Sequence, residues 1–310
     1  MFILLKIFLL IILVILNIYS LKYTYKETFT TLNDDDKPYL FIFWQNMHNK
    51  KRPVYLDLCY ETIIKNCSDS FNIVLMDYKN VSHYLPNIRD DLMTKLKSIP
   101  MQTDYIRYSL LYTYGGVWLD FDTIVIKDIK PIYNLLKEYD FIGFGCYYDD
   151  ASCIRNSGRP VPANWTLMVR PQNILFKNIL LLCDRLLDRH DSEFFANNYH
   201  ILGKELITKA IKLTQEQDET WKYYHYPSKC LERDSHGEKL RNNILISDRD
   251  IDTSCINEYY FIPIYNTSPG FPEWFKELDK EQLLSSNMLI SKLYRLSWGG
   301  TTVSPSTPSG

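Results

Sequence analysis

Residues 2–21, FILLKIFLLIILVILNIYSL, are almost all apolar, with Lys6 near the start and Asn17 late in the run. About 20 such residues span a bilayer as a helix, so the segment predicts a signal anchor. Ile18 and Ser20 make a poor small-residue cleavage site, which argues against a removed signal peptide. Lys6 before the run and Lys22 and Lys26 after it leave the orientation undecided by the positive-inside rule. The pattern turns polar over 22–38 and ends in Asn33-Asp34-Asp35-Asp36-Lys37-Pro38, a composition that cannot bury a core and predicts a stem or linker. The expectation is a single-pass membrane protein with a globular domain over 39–300, in the secretory-pathway lumen or an equivalent membrane compartment. The last ten residues, TTVSPSTPSG at 301–310, predict a disordered tail.

Within the globular part, YLFIFWQ at 39–45 predicts a buried strand, Val54–Ile64 a helix after Pro53, and Phe71–Met76 a second strand. Strand, helix, strand is the opening of a Rossmann-like α/β layer. Asp104–Tyr114 has helical spacing with Ile106, Leu110 and Leu111 inward, and Gly115-Gly116 supplies the left-handed residue that ends a helix. A strand is expected at once, over Val117–Ile126, with Val117, Leu119 and Phe121 on one face and Trp118, Asp120 and Asp122 on the other. A loop rich in Asp, Ser, Gly and Pro over about 148–162 is long enough to be a functional flap. Further helices are predicted over 172–190 and 200–213, and strands over 165–169, 243–247 and 259–265.

Composition narrows the function more by exclusion than by suggestion. With 46% hydrophobic and 23% charged residues the chain is expected to fold, and a net charge of −2 provides no basic field for nucleic acid. The 24 tyrosines can stack on sugars and bases but also suit strands and core edges. The seven cysteines form no CxxC pair, so neither a zinc knuckle nor a thioredoxin-type motif is present, and an odd count leaves at least one thiol unpaired. Asn-x-Ser/Thr sequons occur at Asn66, Asn80, Asn164 and Asn266, in keeping with a secretory compartment.

Asp-x-Asp alone is a poor signal, because Asp34/Asp36, Asp248/Asp250 and Asp250/Asp252 repeat it. At Asp120 and Asp122 the pair ends an apolar strand, where it serves no burial, and hard divalent cations take carboxylate oxygens. Two Asp one strand period apart have Cα atoms about 6.6 Å apart, so convergence on one ion needs a bend in the strand. A solvated strand end is the bland alternative. Asp104 and Arg107 share a face of the preceding helix, and arginine can fork onto a carboxylate or phosphate.

The string DYIRYSLLYTYGGVWLDFD at 104–122 resembles the signature of the glycosyltransferase family containing the DXD sugar-binding region, which includes initiation-specific mannosyltransferases and capsular-polysaccharide-synthesis types. The resemblance implies a GT-A fold and retaining transfer of a hexose from a UDP- or GDP-linked sugar to a hydroxyl of a glycan or glycoprotein. It also implies Mn2+ or Mg2+ on the donor diphosphate. By matching position, Asp104 and Arg107 would contact the donor sugar, Asp120 the sugar or ribose with water-mediated metal contact, and Asp122 the metal, with Gly116 beside the donor. Where members open with a strand ending in His-Gln-x-Trp, this chain has Phe-Trp-Gln at 43–45, and Trp44 is expected either to stack on the base or to pack in the core. Asn164-Trp165 resembles the family's acceptor-side segment. Gly203-Lys204 stands where members carry Gly-Pro, without the proline. Leu296-Ser297-Trp298 resembles a C-terminal Ser-Trp that closes the donor site, without the upstream histidine often found there.

Two other classes remain. A haloacid-dehalogenase-type phosphatase would use Asp120-Phe-Asp122-Thr123 as nucleophile and acid/base, with Asp248 and Asp252 as a late acidic motif, but it leaves Asp104, Arg107 and the glycine pair unexplained. A noncatalytic nucleotide-sugar or glycan-binding module would bind the same ligands without turnover.

Overall fold

The computed structural model describes residues 37–46, 51–145, 162–226, 235–236, 238, 240–251, 259–266 and 270–299. Contacts divide the chain into two units, Met1–Lys37 and Pro38–Gly310, and both sheets belong to the second. The centre of that unit is a six-stranded mixed sheet in the order β2-β1-β3-β6-β5-β7, built from β1 (Tyr39–Phe43), β2 (Asn72–Met76), β3 (Gly116–Leu119), β5 (Phe141–Phe144), β6 (Ala163–Val169) and β7 (Tyr223–His225). The helix α1 (Val54–Cys67) connects the parallel pair β1 and β2, as the opening strand-helix-strand pattern predicts. A second sheet holds β4 (Thr123–Val125) antiparallel to β8 (Phe261–Pro263).

Period-two alternation divides the core between the two faces of the main sheet. Leu40, Ile42, Val117 and Leu119 join one buried cluster, toward α1, while Phe41, Phe43 and Trp118 join the other. The second face is covered by α2 (Ile99–Tyr114) and α3 (Ile174–Arg189), with α4 (Lys204–Gln217) packed on α3. The helix α2 begins earlier than its apolar spacing indicates, because Ser98 caps it by accepting the Met101 N–H and Pro100 occupies the first turn.

Three predicted features are corrected. The single strand over Val117–Ile126 is instead two, β3 and β4, in different sheets, and the break falls at Asp120–Asp122. After Leu119 the chain leaves the main sheet: the Asp120 N–H still reaches Trp165 O (2.8 Å), but the Asp122 carbonyl already accepts from Ile264 N (2.9 Å). The strand predicted over 243–247 is a helical turn, Asn242–Leu245, in which Ile244 and Leu245 both donate to the Arg241 carbonyl (2.9 and 2.8 Å); a short apolar run does not distinguish the two. Strands β5 and β7 have no counterpart among the predicted elements.

The third correction concerns the membrane. No helix among the described residues is long and apolar enough to cross one, which conflicts with the expected single-pass placement. The longest described helices, α2 and α3, have 16 residues each. That is about 24 Å of helix against a hydrocarbon core of about 30 Å. The predicted anchor at 1–21, the stem to residue 36, most of the predicted flap and the tail at 301–310 lie outside the described residues.

Candidate active site

Because β1 and β3 run parallel and β6 runs against β3, the C-terminal ends of the first two and the start of the third meet at one edge of the sheet. Asp120 follows β3 there, Trp44 follows β1, and Asn164 lies near the start of β6. The helix α2 crosses beneath and delivers Asp104 and Arg107, which are 7% and 4% exposed.

Arg107 is the hub. Its guanidinium lies 3.3 Å from both Asp104 Oδ1 and Asp120 Oδ1, donates through Nη1 to the Asn164 carbonyl, and stands 4.9 Å from the centre of the Trp118 indole. Asn164 closes the ring by donating from Nδ2 to Asp104 Oδ1 (2.7 Å). Trp118 donates from Nε1 to Asp120 Oδ1 (2.9 Å). Both protein partners of Asp120 therefore use one oxygen, and its side chain remains 32% exposed at the surface of the cluster. Asp122 is held from the other side, by the Asn266 N–H on Oδ2 (2.9 Å). The residue before Asn266, Tyr265, is left-handed with φ 47°, a conformation costing about 1–3 kcal/mol in a non-glycine residue. Backbone strain thus sits beside the group that aims an N–H at Asp122.

Among the described residues Arg107 is the one guanidinium paired with Asp104 and Asp120, so the three acids Asp104, Asp120 and Asp122, fully ionised, outnumber it by two charges. Burial pushes the Asp104 carboxyl up to about 6; Arg107 and Asn164 resist the shift and Asp120 adds to it. Burial, reinforced by Asp120, likewise pushes Asp122 up to about 6, against the Asn266 N–H and Arg107. Asp120 is raised by burial too, with Arg107 and Trp118 opposing. Burial works against the Arg107 charge, but Asp120 and Asp104 hold it above its ordinary value.

A hard divalent cation suits this charge balance, and Asp120 and Asp122 are the residues that would hold it. Among the described residues no group of three or more His, Cys, Asp or Glu could hold a metal, and Asp120 and Asp122 are the two carboxylates they place here.

The other predicted residues divide. Trp44 lies against Phe121, the residue between the two acids, with ring centres 5.1 Å apart, and the Arg52 guanidinium lies 4.6 Å from the centre of the same Phe121 ring. Gly116 stands at the opposite end of β3, four residues and roughly 13 Å from Asp120 by strand rise. Its φ is 93° and an added Cβ would collide with the Tyr39 carbonyl, so what it provides there is close packing of β3 on β1. Trp298 ends the helix α5 (Leu289–Ser297), and its ring faces Tyr294 at 6.3 Å. It is linked to the acid pair only indirectly, through Tyr294 Oη on Tyr55 O (2.7 Å) and Tyr55 Oη with Asn266 Nδ2 (3.3 Å).

Asn266 is a site residue that the local pattern could not find, since it acts on Asp122 from 144 positions away. The sequence marks it only as a sequon, and marks Asn164 as a sequon and as part of the acceptor-side segment. All four sequon asparagines donate Nδ2 within the fold: Asn66 to Val125 O (2.9 Å), Asn80 to Leu75 O (2.9 Å), Asn164 to Asp104 and Asn266 to Tyr55. Asp248 and Asp250, the repeated Asp-x-Asp, both pair with Lys292 at 2.9 Å, which occupies them away from the acid pair; Asp252 lies outside the described residues.

A family model described as capsular polysaccharide synthesis protein matches residues 9–231, well over half of the 310-residue chain. The chain belongs to that family. Polysaccharide synthesis is glycosyl transfer, so membership in the capsular polysaccharide synthesis family supports glycosyltransferase activity. No curated protein matches this chain. Among solved structures, the PaToxG glycosyltransferase is 14% identical with a TM-score of 0.38, over 60% of this chain and 72% of its own. The galactosyltransferase LgtC, solved with donor and acceptor sugar analogs, is 12% identical with a TM-score of 0.38, over 86% and 98%. The glycosyltransferase GlyE of Streptococcus pneumoniae TIGR4 is 9% identical with a TM-score of 0.39, over 88% and 66%.

Proposed function

We propose that this protein is a metal-dependent, retaining glycosyltransferase of GT-A type that moves a hexose from a UDP- or GDP-linked donor to a hydroxyl of a glycan or glycoprotein. The observation that supports it is the pairing of Asp104 and Asp120 on one buried guanidinium at the edge of the sheet, with Asp122 two residues on within the same field. Asp120 and Asp122 would hold Mn2+ or Mg2+, which would supply positive charge against the developing charge of the leaving diphosphate. Asp120 and Asp122 hold the charge that attracts the cation, and the exposed face of Asp120 is the part open to it. Arg107 fixes the Asp120 carboxylate and, with Asp104, orients the sugar beside it. Trp44 offers a face for the base, next to Phe121. The phosphatase reading loses its late acidic motif to Lys292, at least for Asp248.

The test is calorimetric binding of UDP- and GDP-hexoses with and without Mn2+, together with release of the nucleoside diphosphate. Asp122→Asn should abolish metal-dependent donor binding, and Asp120→Asn should weaken it, while both variants remain folded. Metal-independent binding that survives in both variants would sink the site. A phosphoenzyme trapped on Asp120 would make the protein a phosphatase, and donor binding without any hydrolysis or transfer would make it a binding module.

A further inference from the structure

The segment between β6 and α4 returns to the cluster after α3. Phe195 is buried at one end of it, and at the other Leu202 is buried with its carbonyl accepting from Tyr108 Oη (2.8 Å), one helical turn from Asp104. The next residue, Gly203, lies so close that an added Cβ would be 3.3 Å from Asn164 Nδ2, the atom that donates to Asp104. The turn between these anchors is tied by Ile201 N on Asn198 O (3.0 Å) and Gly203 N on His200 O (3.1 Å). Tyr199, at its crest, is 46% exposed, with its ring edge-on to His200 at 5.0 Å.

Single exposed aromatics are common and by themselves need no explanation. Tyr199 differs in its placement. The turn that exposes it is tied to Tyr108 through the Leu202 carbonyl and lies close to Asn164 at Gly203, which brings the ring into the field of Asp104 and Arg107. The charge of the cluster reaches it: burial raises the phenol above its ordinary value, Asp104 adds to that shift and Arg107 opposes it. A pyranose has an apolar face of C–H groups and a rim of hydroxyls. An aromatic face next to carboxylates and a guanidinium complements both, whereas a bare phosphate has no apolar face to lay against the ring.

Resting on the glycosyltransferase reading, we infer that Tyr199 is a specificity-determining platform on which a hexopyranose ring stacks beside Asp104 and Arg107. The ring belongs either to the donor or to the acceptor. The experiment is titration calorimetry on the full chain with Mn2+, using free UDP and GDP, their glucose, galactose and mannose conjugates, and the corresponding methyl hexosides. Tyr199→Ala should weaken sugar-bearing ligands on the order of tenfold while leaving the free nucleotide that binds wild type unchanged, and Tyr199→Phe should restore wild-type affinity. Loss confined to the nucleotide hexoses assigns the platform to the donor, and loss confined to a methyl hexoside assigns it to the acceptor. Unchanged affinity for every sugar that wild type binds, or an equal loss for the free nucleotide, would overturn the platform while leaving the glycosyltransferase reading intact. Wild-type protein that binds no nucleotide sugar and no hexoside would instead overturn that reading and the platform with it.

Discussion

Neutralising Asp104 should make the protein more stable and less able to bind donor, and the effect should depend on pH. Its carboxyl is moved by burial from an ordinary 3.8 to about 6, even though Arg107 and Asn164 favour the ionised form. The difference is about 2.2 on the pH scale at 1.36 kcal/mol each, so ionising Asp104 costs roughly 3 kcal/mol more in the folded than in the unfolded chain. The folded state holds the proton more tightly, so this contribution to stability is complete below about pH 4 and lost as pH rises through about 6. Asp104→Asn keeps the shape and an oxygen to accept from Asn164 but does not titrate. The variant should match wild type near pH 4 and melt higher at pH 8, by roughly 5 °C for a domain of this size. Differential scanning calorimetry of both proteins from pH 4 to 8, in low salt without divalent cations, measures that difference. Taking the difference cancels the carboxylates that do not interact with Asp104; Asp120, which does, ionises more readily in the variant and adds to the difference in the same direction. A difference that stays constant with pH, or a variant that melts lower at pH 8, would mean that the ion pair with Arg107 outweighs burial, refuting the charge-surplus argument.

Asn164→Ala should lower stability by about 1–3 kcal/mol, because Asp104 loses its hydrogen-bond donor in a buried site, and chemical denaturation will show it as a lower midpoint. Arg107→Lys keeps the charge but not the fork that serves Asp104, Asp120 and the Asn164 carbonyl, so both melting temperature and donor affinity should fall; an unchanged melting temperature would contradict the hub geometry. Gly116→Ala should destabilise by more than about 1 kcal/mol, since φ is 93° and the new Cβ meets the Tyr39 backbone, without altering which ligands bind to the folded fraction. The buried free thiols of Cys59, Cys67 and Cys183 are all raised by burial, Cys67 to about 12, so peptide mapping should find them labelled by a thiol reagent only after unfolding.

What could be read from the sequence was whatever depends on near neighbours. The alternation in β1 and β3 places Leu40 and Val117 on one face and Phe41 and Trp118 on the other, and the glycines at 115 and 116 end α2 as their conformational freedom requires. Asp104 and Arg107 were recognisable as a pair because helical spacing alone brings them together. Features set by distant partners were not legible. The β5 segment Phe141–Phe144 contains Gly143 and precedes Gly145, which weaken its local strand signal, yet pairing with β6 and β7 makes it a strand. The partners of Asp122, Ile264 and Asn266, approach from β8, and nothing near residue 122 announces them.

The break between β3 and β4 is where these two kinds of information meet. The alternation that places Trp118 and Asp120 together would, if continued as one strand, leave the two carboxylates about 6.6 Å apart at their Cα atoms and aligned along one face. The chain instead changes sheets at that point, so Asp120 is fixed by Trp118 of the main sheet and Arg107 of α2 while Asp122 is fixed by Asn266, just beyond β8 of the small sheet. Neither hold relieves the charge. Both acids remain raised by burial, and a left-handed tyrosine adjoins the second. A sequence selected for stability alone would place no carboxylates here, because neutral residues at 104 and 122 would remove the ionisation penalty and keep most of the hydrogen bonds. Locally unfavourable charge, a strained backbone at Tyr265 and a sheet change meet at this edge of the sheet, and together they support the proposed cation and donor site.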